Sequence, residues 1–194
     1  MKKLIFTFLM FLLAFSLNAQ VKFLDIPVDG SKSKMISKLK QKGFEYNKDL
    51  DCLTGEFDGE DVMLSLVTTK NKVNSICVFF GSYFGEYTIS GYGKRAAKNK
   101  FNDLIYRFDN NNTKYVNLSS VINPSAWSST IDDDEDIEYQ IKHNNKEYHA
   151  YYIQLGDEKT NAVHFAITEA SKSGEFWVIL RYDNLDNRAQ GEDL

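Results

Sequence analysis

The sequence predicts an α+β protein built from two helix-then-antiparallel-meander units, packed as one small two-layer molecule. Three observations predict it. Residues 31–80 read as one helix followed by three short strands. A looser copy of that order begins at Lys94. Between the apolar segments stand dipeptides such as Asp58-Gly59 and Asn144-Asn145, which turn a chain back on itself.

Residues 21–28 read as extended chain, because Pro27 keeps Ile26 out of helix and leads into Asp29-Gly30. Ser31 stands where an N-cap belongs and Gly43 where a C-terminal glycine belongs. Between them Met35, Ile36 and Leu39 form one face, and Lys32, Lys34, Lys38, Lys40 and Lys42 take the rest. In the strand that follows, Leu53, Gly55 and Phe57 are the apolar side. A type I′ turn at Asp58-Gly59 then sets Gly55 opposite Val62 and Leu53 opposite Leu64, so the apolar sides agree. A second turn at residues 70–72 leads into residues 73–80. They are apolar on both faces, as a strand central in its sheet or covered on both sides would be.

Residues 81–93 form a loop rich in Gly, Tyr and Ser that joins the halves. The division is a leader at 1–19, a first half at 20–83 and a second half at 84–194 with a polar tail from Asp183. Residues 94–108 carry the strongest helical stripe: Ala97, Phe101, Leu104, Ile105 and Phe108. After a short strand at 115–118 and a long connection with an acidic run, a hairpin is expected. Ile137, Tyr139 and Ile141 alternate with Glu138, Gln140 and Lys142. Beyond Asn144-Asn145, Tyr148, Ala150 and Tyr152 alternate with Glu147, His149 and Tyr151. That pairing sets Ile141 against Tyr148 and Lys142 against Glu147. Residues 162–168 and 176–182 complete the second meander.

The first residues read as a secretory signal: Lys2 and Lys3, an apolar run over 4–17, and Ala19 before the cleavage point. The run is shorter than a membrane span, and no cysteine lies nearby to take a lipid anchor. The expected address is therefore exported, periplasmic or extracellular, without a lipid anchor. Loss of the two leader lysines takes the 23 basic residues to 21, against 27 acidic ones, a net charge of −6. That balance argues against a nucleic-acid binder, which needs a basic face. Apolar residues at 43% are ample for a packed core. Cys52 and Cys77 fall on the first and third strands of a meander, on opposite faces by pattern, which argues against a bridge.

Three stretches carry a resemblance. "FLDIPVDGSKSKMISKLKQKGF", "LTGEFDGEDV" and the ending "YDNLDNRAQGEDL" resemble a family of uncharacterised exported proteins of Gram-negative gut-type bacteria. The resemblance spans most of the chain after the leader, and implies an address but no chemistry. The repeated helix-then-meander order is also similar to the β-lactamase-inhibitor-protein-like fold, shared with small outer-membrane assembly lipoproteins. This chain lacks their lipidated cysteine.

No catalytic signature is complete. Gly91-Tyr92-Gly93-Lys94-Arg95-Ala96 matches a G-x-G-x-x-A phrase but lacks the βαβ context that would bring it to a pyrophosphate. The acids at 132–136 fail the calcium-loop spacing, because Ile137 occupies the glycine position. His143, His149 and His164 lack zinc spacing, although two histidines can meet across strands. No cofactor is expected. The leading expectation is a non-enzymatic binding module whose partner is another envelope or extracellular protein. The rival is an enzyme or small-ligand carrier with a site between the halves. The expected recognition surface is the outward face of the second meander, carrying Gln140, His149, Tyr151, His164, Trp177 and Arg181.

Overall fold

The computed structural model describes residues 21–83, 89–119, 130–155, 161–170 and 174–189; the leader expected at 1–19 lies outside them. The chain enters through a tight hairpin, β1 (Lys22–Phe23) and β2 (Ile26–Pro27). Its two turn residues, Leu24 and Asp25, both have positive φ. Helix α1 (Lys32–Gln41) follows with Met35 and Leu39 buried, and Gly43 closes it at φ 97°. Strands β3 (Glu45–Asn47), β4 (Cys52–Phe57), β5 (Glu60–Thr69) and β6 (Lys72–Phe80) then form an antiparallel meander. The Asp58-Gly59 turn has positive φ at both residues and sets Gly55 opposite Val62 and Leu53 opposite Leu64, the register expected.

The joining segment contributes β7 (Ser82–Tyr83), β8 (Ile89–Ser90) and β9 (Tyr92–Gly93). The second unit is α2 (Lys94–Asn110), β10 (Tyr115–Asn117), α3 (Ile137–Asn144), β11 (Tyr148–Gln154), β12 (Asn161–Glu169) and β13 (Glu175–Asn184). The supposed polar tail continues β13 to Asn184 and turns into a short helix, α4 (Leu185–Ala189).

The molecule is α+β. Its large sheet runs β10-β11-β12-β13-β6-β5-β4-β3, with β9 pairing the start of β13. The last strands of the two meanders, β6 and β13, meet antiparallel at the centre and join both units into one sheet. One core cluster unites Met35 and Leu39 of α1 with the α2 stripe Ala97, Phe101, Leu104, Ile105 and Phe108. It also takes in Leu64, Val78, Leu180, Phe165 and Tyr152 from alternate positions of the strands. Both long helices therefore cover one face of the sheet.

The expected hairpin over 137–152 is corrected: its first arm is helix α3. The Asp136 side chain accepts hydrogen bonds from the backbone N–H groups of Glu138 (3.1 Å) and Tyr139 (3.3 Å), an N-cap. Lys142 donates to Glu138 one turn earlier, at 2.8 Å, and Asn145 ends the helix in the left-handed region. Ile137 and Ile141 lie four apart, so they share a helical face as readily as a strand face. Ile137 is buried and Ile141 packs against the core, but Tyr139 is 55% exposed. The expected Lys142–Glu147 pair does not form; Lys142 reaches Glu138 and Glu169 instead.

The cysteine faces are corrected too. Ser65 pairs with Cys77, while Leu53, beside Cys52, pairs with Leu64 of the core face. Cys52 and Cys77 thus share a face, with β5 between them, about 10 Å apart by strand spacing. Both are free thiols.

Candidate recognition face of the sheet

The face turned away from the helices is built from the odd positions of β6, β11 and β13 and the even positions of β12. The registers align them in rows. In one row Cys77 pairs with Arg181, Arg181 with His164, and His164 with Tyr151. In the next, Phe79 pairs with Ile179, Ile179 with Ala166, and Ala166 with His149. Trp177 pairs with Thr168 beyond them and packs edge-on against Phe79, centroids 6.0 Å apart at 88°. At the other end Ser75 pairs with Asp183. Most of these side chains are half-buried, as on a flat sheet face, while Ser75 and Asp183 are buried.

Of the six residues expected on this surface, the strands bring five together: His149, Tyr151, His164, Trp177 and Arg181. Gln140 is not among them. It lies on α3, where its side chain accepts from Asn144 at 2.8 Å. Its outward placement depended on the hairpin that α3 replaces.

The polar groups of the face form two chains. Arg181 Nε donates to Asp183 Oδ1 at 2.7 Å, and its terminal nitrogen donates to Ser75 Oγ at 3.1 Å. Ser75 Oγ in turn donates to Asp183. The guanidinium is thereby held in one orientation, with donors still unused among the described residues. In the second chain, His149 Nε2 lies 3.2 Å from a Glu147 carboxylate oxygen and His149 Nδ1 lies 2.8 Å from His164 Nε2. A carboxylate only accepts, so His149 Nε2 carries a proton; with His149 neutral its Nδ1 accepts and His164 Nε2 donates. Burial, the neighbouring His149 and Arg181 together depress the His164 pKa to about 4, so that ring is neutral at pH 7. Tyr151 stacks on His164 with centroids 4.6 Å apart and rings 14° from parallel.

This arrangement is suited to contact chemistry: flat stacked rings, an oriented guanidinium and an apolar strip between. The Ser75, Asp183 and Arg181 trio lacks an imidazole base, and burial raises the Cys77 thiol above its ordinary pKa. Among the described residues no group of three or more His, Cys, Asp or Glu could hold a metal ion. His149 and His164 do meet across strands, but His143 sits apart on α3 against Tyr139.

The remaining motifs find structural explanations. A Cβ on Gly91 would meet the Phe176 backbone nitrogen at 2.8 Å, so glycine there permits β9 to approach β13. Gly93 is the N-cap residue of α2. The acidic run wraps an internal cation. Lys98 Nζ, on a buried side chain, donates to the backbone oxygens of Asp132 (3.0 Å), Asp133 (2.5 Å) and Glu135 (3.1 Å). Among the described residues no helix is long and apolar enough to cross a membrane.

Sequence reasoning missed Ser75, Cys77, Phe79 and Asp183 as members of this face. Residues 73–80 are apolar at both parities, so their pattern does not say which parity meets the helices. The β6–β13 pairing that decides it joins residues about a hundred positions apart in sequence, beyond any local signal. No protein-family model, curated protein or solved structure matches the chain.

Proposed function

We propose that this protein is an exported, non-enzymatic binding module that captures another envelope or extracellular protein on the open face of its sheet. The observation that carries this reading is the juxtaposition of Trp177, Phe79, Tyr151 and Arg181 on neighbouring strands of one face. Trp, Tyr and Arg are the side chains that most often dominate binding energy at protein interfaces, and an apolar strip flanked by polar groups is the usual anatomy. The hydrogen bonds that order Arg181 and the two imidazoles support it further, because groups already ordered lose less freedom on binding. The export reading is supported by the Lys2-Lys3 start, the apolar run and Ala19.

The test is the double substitution Tyr151→Ala with Trp177→Ala. Partners are captured from the source organism's envelope on the wild-type protein, identified by mass spectrometry, purified and re-bound. The double variant is expected to lose binding of the identified partner while keeping its denaturant midpoint. Equal binding by both proteins, or collapse of the fold in the variant, would retire the proposal.

A further inference from the structure

A second concavity, of about 370 Å³, opens on the helical side where the two units meet. Its position and lining set it apart from the sheet face. The floor is apolar and largely aromatic: Phe57 from the first unit, Leu104, Phe108 and Tyr115 from the second, and Leu180 and Tyr182 of the central strand β13. Phe108 and Tyr115 lie with centroids 4.3 Å apart and rings 34° from parallel, so this part of the floor is aromatic rather than branched aliphatic. The volume falls at the small end of the range for small-molecule sites, roughly 300–1,000 Å³.

The rim supplies charge. Arg107 is already paired, with Asp58 at 2.5 Å and with Asp103 at 2.9 Å, so this part of the wall is neutralised. Lys22 and Lys114 are different: among the described residues neither ammonium has a carboxylate within ion-pair distance. Lys114 Nζ stands 5.5 Å from the Tyr115 ring centroid, directly beside the aromatic floor. Among the described residues, the one carboxylate on this rim outside an ion pair is Asp25. Two lysines on the rim, outside any ion pair among the described residues and one of them with its ammonium beside the aromatic floor, in a chain whose overall charge is negative, mark a site for an anion with a flat apolar body.

The turn that forms one wall adds an independent observation. Leu24 and Asp25 both occupy the left-handed region, at φ 50° and 64°. Such turns favour Asn and Gly, and a leucine there is held at a conformational cost. Leu24 packs against the core and lines the concavity, so the disfavoured residue is the one that supplies apolar wall.

From these features we infer that the concavity between the units binds a small aromatic carboxylate, its ring on the Phe108–Tyr115 floor and its carboxylate between Lys22 and Lys114. This inference is independent of the sheet-face reading, since the two surfaces lie on opposite sides of the sheet.

The test uses 2-naphthoate as probe, with 2-naphthamide and 2-naphthylmethylamine as neutral and cationic counterparts, in calorimetry and amide chemical-shift mapping. The expected result is saturable binding of naphthoate, with shifts centred on Leu24, Phe57, Phe108 and Tyr115, and weaker binding of both counterparts. The double substitution Lys22→Ala with Lys114→Ala is expected to weaken naphthoate by about tenfold or more and naphthamide by less than about twofold. The Tyr151→Ala, Trp177→Ala protein is expected to bind naphthoate as the wild type does. The inference is overturned by any of three results: no saturation at millimolar naphthoate, shifts centred elsewhere, or an amine that binds as tightly as the acid.

Discussion

At the scale of single residues, the clearest constraint is Gly55. A Cβ built there would lie 2.7 Å from Phe44 Cδ1 and 3.2 Å from the Phe44 backbone Cα, and backbone does not move aside cheaply. Gly55→Ala is therefore expected to destabilise the protein by roughly 1–3 kcal/mol, as overpacking does, read from the urea midpoint. An unchanged midpoint would show that Phe44 yields freely. His164 gives a pH-dependent prediction. Folded, it takes up its proton only near pH 4; unfolded, near the ordinary histidine value of 6.5. Between those values the unfolded chain holds more protons, so the stability tied to the neutral ring is full above pH 6.5 and declines as pH falls toward 4. His164→Gln removes this contribution, and its stability should fall less steeply across that window than that of the wild type. Parallel pH profiles would contradict the assigned burial and the placement of His149 and Arg181 around the ring.

At the scale of elements, legibility followed the length of the pattern. The α2 stripe runs for five members over three turns, and all five are buried as the spacing predicts. Leu104→Ala and Phe101→Ala are each expected to cost roughly 2–5 kcal/mol in denaturant unfolding. No change in either midpoint would mean that the stripe does not face the core. The first meander was legible for a different reason: Asp58-Gly59 ties strand register to two adjacent residues. Helix α3 was misread because three alternating apolar positions also place Ile137 and Ile141 one helical turn apart. The signal that decides between the two is the carboxylate of Asp136, which stood inside what reads as a solvated acidic run. Asp136→Ala removes that cap and is expected to cost about 1 kcal/mol. It also removes the 2.9 Å pair with Lys94, exposed on both sides and worth little by itself. If α3 were incidental to the fold, the variant would melt with the wild type.

At the scale of the whole molecule, the β6–β13 seam makes the two units one sheet. It adds β6 to the face that β11, β12 and β13 share, because Cys77 becomes a neighbour of Arg181 only through it, while His164 reaches Arg181 by the β12–β13 pairing. Five of the six expected site residues follow from strand parity alone. The sixth, Gln140, failed with the helix assignment, and Ser75, Phe79 and Asp183 needed the strand order that local sequence does not carry. A buried Lys100 also crosses between the units, 2.9 Å from Glu60 of the first meander and 4.2 Å from the Phe80 ring centroid. The seam is thus tied on the helical side as well as by backbone pairing.

The claim that the open sheet face recognises a protein partner is tested most directly by photo-cross-linking in the source organism. A benzophenone amino acid is placed in turn at Tyr151, at Trp177 and at Tyr106, which is 69% exposed on α2. The account predicts the same discrete adduct from positions 151 and 177 and none from 106. An adduct from 106 alone, or from none of the three, would contradict it.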